Sequence, residues 1–220
     1  LSSAASDVYK RQIFNILTGV YKPTTGKVFL DENDITNLPS YKRVEKGITR
    51  TFQNIRLFKK MSVLDNVKTA ASRDLHYNVF DSIFRTKRFW NSEKAVDEKV
   101  EQILEILGLK EYSEELANNL PYGMQRKLEI ARALATNPKI ILLDEPAAGM
   151  NPIETEELMN TISLVRKKFN VTILLIEHDM KLVMGICEWI TVLSFGEVIA
   201  TGTPEEIKNN PEVISAYLGE

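Results

Sequence analysis

The chain has 220 residues, of which 44% are hydrophobic and 26% charged, with a formal net charge of −2. That is enough apolar sequence for a core in one large domain, or in one domain with an inserted lobe, and the charge gives no reason to expect nucleic acid as the main partner. Cys187 is the only cysteine, which excludes a disulfide framework and a thiolate metal site and suits a reducing, cytoplasmic setting.

In chain order, residues 1–12 are small and polar, lack the apolar centre of a secretory signal, and read as an unstructured tail or a foreign junction. Ile13, Phe14, Ile16 and Leu17 then form an apolar stripe at helical spacing, stopped by Gly19. A Pro/Gly/Thr turn at 21–26 opens into a short strand at 27–30, and a further turn leads to a short helix near 40–47 and a strand at 48–53. Ser62 with Asp65 three residues later predicts an N-capped helix from 63 to about 72.

Residues 73–92 mix Phe80, Phe84, Phe89 and Trp90 with Arg73, Arg85, Lys87 and Arg88; a compact aromatic cluster of this kind predicts packing rather than a nucleic-acid surface. His76 within it reads as structural. A helix at 93–107 follows, with Val96, Val100, Ile103, Leu104 and Leu107 as its buried stripe, and an amphipathic helix occupies 125–135. A buried strand at 139–143, a helix opened by Asn151-Pro152 and running to about 169, and a second buried strand at 171–176 come next. Residues 189–200 predict a hairpin turning at Phe195-Gly196, and Thr203 caps one more helix. No apolar run reaches the length needed to cross a bilayer. Strands alternating with helices predict an α/β fold with a mainly parallel sheet, into which residues from about 62 to 136 insert a helical lobe.

Chemistry concentrates at a few junctions. In IILLDEP, a buried strand delivers Asp144 and Glu145 to the carboxyl edge of the sheet, where Asp144 suits Mg²⁺ and Glu145 suits polarising a water. A strand that simply ends in an acidic turn is the plain alternative. His178 ends the next strand in the same manner, placed to donate a hydrogen bond to a phosphate. Pro121-Tyr122-Gly123 precedes the helix beginning near Met124, so free backbone N–H groups and the positive dipole end make an anion site; an ordinary loop-to-helix junction is the alternative. Gln53 stands between a strand and the lobe, as an amide able to touch both a metal and the lobe, or as an exposed strand end.

Jointly these stretches resemble the ATP-binding subunits of ABC transporters, from about residue 13 to the end. Residues 120–126 are similar to the family signature Leu-Ser-Gly-Gly-Gln, keeping Leu120 and Gly123 and departing at Pro121, Tyr122 and Met124. IILLDEP resembles the Walker B strand with Glu145 as its catalytic residue. AAGMNP, with Gly149 and Asn151, resembles the D-loop, Gln53 the Q-loop, and His178 the switch histidine. The variants DEPAAGMNP, IEHDMKLVMGI and GTPEEIKNNPEVISAYLGE, with the long lobe, resemble the branched-chain amino acid importers.

The resemblance implies a P-loop NTPase-like ABC ATPase core that binds ATP and Mg²⁺, the metal held by Asp144 and Gln53. It further implies a head-to-tail dimer with a second ATP-binding subunit. ATP is sandwiched between Asp144, Glu145 and His178 of one subunit and the signature of the other, at Tyr122, Gly123 and Met124. The implied partners are transmembrane permease subunits, which residues 52–60 and 73–92 are expected to face, and, indirectly, a solute-binding protein, with no nucleic acid, at the cytoplasmic face of the membrane.

Rival readings are the ATPases of urea or lipopolysaccharide-export systems, a non-transport ABC protein, and a non-hydrolysing fragment. The last is motivated by the start of the chain. A phosphate loop reads G-x-x-x-x-G-K-[ST], and alignment on residues 13–19 puts Lys10 at the lysine, with Ala4, Tyr9 and Arg11 where Gly, Gly and Ser/Thr belong. The expectation is an ATPase domain over 13–220 whose Walker A part is missing or replaced over 1–12, with very weak ATP binding.

Overall fold

The computed structural model describes residues 2–75 and 77–218; His76 lies outside the described residues. The chain divides into two compact units, Leu1–Arg43 with Leu175–Glu220, and Val44–Leu174.

The second unit holds β3 (Ile48–Arg50), the helices α3 (Val63–Ala71), α4 (Val79–Phe84), α5 (Lys87–Ile106) and α6 (Tyr122–Ala135), then β4 (Ile140–Asp144) and α7 (Pro152–Phe169). β3 and β4 pair in parallel, Ile48 opposite Ile140 and Arg50 opposite Leu142, although the whole lobe lies between them in sequence. With β5 (Thr172–Ile176) they form a three-stranded sheet in the order β3-β4-β5. The central strand carries the core, with Ile141, Leu142 and Leu143 buried. β5, expected to be buried, is an edge strand and is half-exposed, Leu174 at 41%; a strand with one neighbour is covered less than one with two.

The lobe helices fold as their sequence periodicity dictates. Ser62 accepts the Asp65 N–H at 3.0 Å and caps α3. Val96, Val100, Ile103, Leu104 and Leu107 are all buried, as are Leu128, Ile130, Ala131, Leu134 and Ala135 of α6, and α3 packs on both α5 and α6. Thr86 caps α5 six residues earlier than the hydrophobic stripe suggests. At the far end of α6, Lys99 from α5 donates to the Ala135 carbonyl at 2.6 Å, satisfying a helix terminus that has no further turn to serve it.

The aromatic cluster departs from expectation. Val79, Phe80, Ile83, Phe84 and Trp90 are 56–73% exposed. Phe80 and Phe84 stack on each other at 6.2 Å between ring centroids instead of entering the core. The six-residue α4, with its N-cap box at Asn78 and Asp81, presents these side chains outward.

The first unit contains α1 (Ser2–Leu17), a short hairpin of β1 (Phe29–Leu30) and β2 (Asn33–Asp34), α8 (Met180–Ile186), the antiparallel pair β6 (Ile190–Ser194) and β7 (Glu197–Gly202), and α9 (Pro204–Lys208). α2 (Ser40–Glu45) spans the boundary between the units. Residues 2–12, expected to be irregular, belong to α1. Of its predicted stripe only Phe14 is fully buried, and Ile13 is 40% exposed.

Buried Arg43 closes α1, donating to the carbonyls of Ile16 (2.5 Å), Leu17 (2.9 Å), Thr36 (2.8 Å) and Leu38 (3.0 Å). Gly19 follows in the left-handed region at φ +74°, where a Cβ would stand 2.8 Å from Arg43 Nε, so both its conformation and its lack of side chain are required. Val192, Ala200, Ile207 and Val213 make the second small core of this unit.

Candidate active site

β4 ends on buried Asp144, and Glu145, 4% exposed, turns the chain through the left-handed region at φ +44°. A non-glycine residue held there carries strain that its surroundings must enforce. The turn is closed by the Ala148 N–H on the Glu145 carbonyl at 3.1 Å, and Gln53 Nε2 donates to Glu145 Oε2 at 2.5 Å. Sequence places these two residues 92 positions apart; the parallel pairing of β3 with β4 brings them together. Gln53 is thus neither an exposed strand end nor a generic junction residue.

Asp144 has a partner that the sequence reading missed. Arg50 Nη2 contacts Asp144 Oδ2 at 2.6 Å, both side chains nearly buried. In the parallel ladder Arg50 stands opposite Leu142, two residues before Asp144 and so on the same face of the sheet. Asp144 Oδ1 is buried with no hydrogen-bond partner among the described residues. A carboxylate oxygen left so is costly unless a cation or its water completes it, so the donor chemistry fits Mg²⁺.

α6 starts at Tyr122, with Pro121 as an N-cap that offers no side-chain hydrogen bond. The first intrahelical donor is Gln125, to the Pro121 carbonyl at 3.0 Å, which leaves the N–H groups of Tyr122, Gly123 and Met124 without an intrahelical acceptor. Gly123 has no conformational need to be glycine. Its φ is not positive, and a Cβ there would meet only Glu154 at 3.9 Å, an ordinary contact. Gly costs a helix about 0.5–1 kcal/mol relative to Ala, and neither conformation nor crowding requires it here.

The AAGMNP segment is shaped by two devices. Gly149 sits at φ +79° with nothing near its Cβ position, and Asn151 caps α7 by accepting from Ile153 N–H (2.9 Å) and Glu154 N–H (3.0 Å), with Glu154 returning a bond to the Asn151 N–H.

Beneath the start of α6 lies a charge pair that the sequence reading passed over. Arg126, fully buried, donates to the carbonyls of Phe52 (2.7 Å) and Gln53 (2.8 Å), to Glu129 Oε2 (2.7 Å) and to the Tyr122 hydroxyl (3.2 Å). Glu129 accepts from the Phe52 N–H at 3.2 Å and the Arg56 N–H at 3.4 Å. Burial pushes the Glu129 carboxyl above its usual range, with Arg126 pulling the other way. Arg132 reaches the Arg56 carbonyl and lies 4.7 Å from the Phe58 ring. Residues 52–58 are therefore held by α6, and by buried Asn66 of α3 through Phe58.

Lys10 and His178 belong to the other unit, where both line one small cavity of about 110 Å³ with Glu177, Met180, Ile207 and Val213. His178 is exposed, and it is displayed by two structural acids. The Glu177 carboxylate accepts the His178 N–H at 3.1 Å, and Asp179 caps α8 through the N–H groups of Lys181 and Leu182. Lys10 lies inside α1. There the backbone N–H groups bond to carbonyls one turn back along the helix.

Comparison with known proteins bears on this geometry. Residues 10–148 match the ABC transporter family, and residues 197–220 match the branched-chain amino acid ATP-binding cassette transporter family. The chain is similar to the high-affinity branched-chain amino acid transport ATP-binding protein BraF of Pseudomonas aeruginosa, 49% identical over 96% of this chain and 83% of the relative. It is similar also to LivG of Escherichia coli K12, which carries the same description, at 47% identity over the same shares of the two chains. Among solved structures, the ATP-binding cassette MJ1267 of an ABC transporter, in its ADP conformation, superposes with a TM-score of 0.79 at 33% identity, covering 96% of this chain and 84% of that one. With the paired acids at the end of β4, the amide of Gln53 on Glu145 and the open first turn of α6 all in place, the chain belongs to the ABC transporter family of ATP-binding proteins.

Proposed function

We propose that this chain is the ATP-binding subunit of an importer of branched-chain amino acids, in which ATP binding and hydrolysis drive uptake through transmembrane permease subunits supplied by a solute-binding protein. The observation that carries the reading is the buried Asp144-Glu145 pair with the Gln53 amide 2.5 Å from Glu145, in a chain whose carboxyl-terminal residues match the branched-chain family. Gln53 fixes the orientation of the Glu145 carboxylate, and Glu145 then takes a proton from an attacking water. Asp144 and the side-chain amide oxygen of Gln53 would hold Mg²⁺, which would supply neutralisation of phosphate charge. His178 supplies a hydrogen-bond donor to the terminal phosphate.

The free N–H groups of Tyr122, Gly123 and Met124 bind the phosphates of ATP held by a second ATP-binding subunit, which explains an anion site whose element carries no metal ligand of its own. The exposed α4 patch and residues 52–60 face the permease, so the protein works at the cytoplasmic face of the membrane. No described helix is long and apolar enough to cross a membrane.

The test uses a chimera in which residues 1–12 are exchanged for the amino-terminal segment of a similar branched-chain importer ATPase, co-expressed with the permease and the binding protein in membrane vesicles. Leucine uptake dependent on ATP is the expected result. Glu145→Gln should retain ATP binding and lose turnover on the order of 10²-fold or more. Turnover at the parental rate would remove Glu145 from its role, and ATP-driven uptake of urea but not leucine would replace the substrate class.

A further inference from the structure

The signature-like turn of this chain carries a tyrosine where a glycine is usual, and the structure gives its hydroxyl two definite partners. It donates to the Ala148 carbonyl at 2.9 Å and accepts from Arg126 Nη2 at 3.2 Å, so its one proton and one of its lone pairs are both engaged. The first partner lies in the segment that leaves Glu145: the Ala148 N–H closes the turn on the Glu145 carbonyl. The second is the buried guanidinium that holds the Phe52 and Gln53 carbonyls. From Tyr122, then, two short paths reach Glu145. One runs through Ala148 and the turn, the other through Arg126, the Gln53 backbone and the Gln53 amide.

Resting on the reading of this region as a nucleotide site, we infer that Tyr122, with Arg126 locked by Glu129, is a positioning residue. It makes the state of the first turn of α6 felt at Glu145 from two sides. A turn that is open, or one pressed by a bound phosphate, sets the tyrosine hydroxyl differently. Ala148 and Gln53 follow, because neither hydrogen bond survives a displacement of much more than half an ångström. The strained φ of Glu145 makes its carboxylate responsive to such small changes, since a residue in a sparsely populated conformation is held only by its surroundings. The buried Arg126–Glu129 pair gives the second path its stiffness: both of its members are bonded to the 52–56 backbone, and a buried pair of this kind resists losing either partner.

The experiment is nuclear magnetic resonance on the nucleotide-free 220-residue chain, labelled with ¹⁵N, comparing the parent with Tyr122→Phe and with the double variant Arg126→Met/Glu129→Leu. Tyr122→Phe removes one hydroxyl from a 40% exposed side chain and leaves the fold in place. It should shift the Gly149 amide nitrogen, which follows the Ala148 carbonyl, and also the side-chain NH₂ signal of Gln53. It should also speed exchange of the Ala148 amide about fivefold, as the loss of one net hydrogen bond predicts, while the amides of Leu142 and Leu143 in β4 stay unchanged.

The double variant removes both members of the buried pair, so neither charge is left uncompensated, and a thermal melt checks that it stays folded without their bonds to the 52–56 backbone. It should shift the Gln53 NH₂ signal and the Phe52 and Arg56 amides, and it should abolish the effect of Tyr122→Phe on Gln53 but not on Gly149. A Gly149 signal that moves alone in Tyr122→Phe, with Gln53 unmoved, would overturn the relay. An unmoved Gly149 would overturn the Tyr122–Ala148 bond itself, and equal changes throughout β4 would reduce Tyr122 to a general structural role. No nucleotide or permease enters the measurement, so its failure leaves the transport reading standing, and failure of the uptake assay leaves this one standing.

Discussion

At the scale of single residues, the site separates groups required by the fold from groups that serve a ligand. Gly149 and Gly19 are glycines for conformational reasons, at φ +79° and +74°. Gly123 is not, and this gives a sharp prediction. Gly123→Ala should raise stability by about 0.5–1 kcal/mol, or about 1–4 °C in Tm, by removing a flexible residue from the first turn of a helix. The same substitution in the chimera should weaken ATP-dependent dimerisation, because a methyl group then stands over the free N–H groups. A thermal melt and a sedimentation measurement made together read both effects, and loss of stability would show that the glycine serves the fold after all.

Glu129 supplies a second prediction. Its folded-state carboxyl is raised by burial, so it holds its proton more tightly folded than unfolded. The stabilisation that results is fully present below the ordinary carboxylate range and is lost as pH rises through the raised value. Denaturant unfolding followed from pH 4 upward should therefore show the parent losing stability relative to Glu129→Gln over that window, with a constant difference above it. A difference that is flat throughout would mean that the Arg126 pair cancels the cost of burial.

At the scale of elements, periodicity and capping chemistry made most of the fold legible. The stripe of α5, the buried face of α6, the Ser62 and Asn151 caps and the Phe195-Gly196 hairpin all follow from local rules that the chain obeys. The β4 edge was legible for the same reason, since a run of apolar residues ending in Asp-Glu has one orientation in a buried strand. What local rules do not contain is pairing across the lobe. Arg50 on Asp144, the Gln53–Glu145 bond and the Arg126–Glu129 clamp each join residues or segments 73–94 positions apart, and they arise from the parallel register of β3 and β4 and from α6 lying against residues 52–56.

The α4 patch was misjudged because a list of aromatics says nothing about which way a six-residue helix faces. Its exposure leaves it available as the proposed permease-facing surface. In the chimera, reversing charge at Arg85 and Arg88, both exposed beside the patch, should weaken co-purification with the permease subunits while nucleotide binding is spared. Unchanged assembly with lost ATP binding would place this face elsewhere in the mechanism.

At the scale of the whole molecule, the acids, the amide and the anion-binding helix start are formed among the described residues, while residues 2–17 make one helix. A phosphate loop works because successive backbone N–H groups stay free and converge on one point, with glycines allowing the approach and a hydroxyl meeting the metal. α1 runs without interruption from Ser2 to Leu17, so the N–H groups of Lys10 and Arg11 are engaged along the helix axis and cannot converge. Arg11, at the hydroxyl position, adds a second cation and no metal ligand. A micromolar affinity corresponds to about 8 kcal/mol of binding free energy, which a phosphate loop supplies largely through charge-assisted hydrogen bonds to the β- and γ-phosphates. The 220-residue chain should therefore bind Mg-ATP no more tightly than about 1 mM, a level of about 4 kcal/mol, and show no turnover above background. The chimera carrying a G-x-x-x-x-G-K-[ST] loop should gain affinity by a hundredfold or more on the order of two to four such bonds. Titration calorimetry on both proteins decides it: micromolar binding by the chain as it stands would mean that Lys10 and its helix reorganise around the nucleotide, and equal weakness in both would mean that the defect lies beyond the loop.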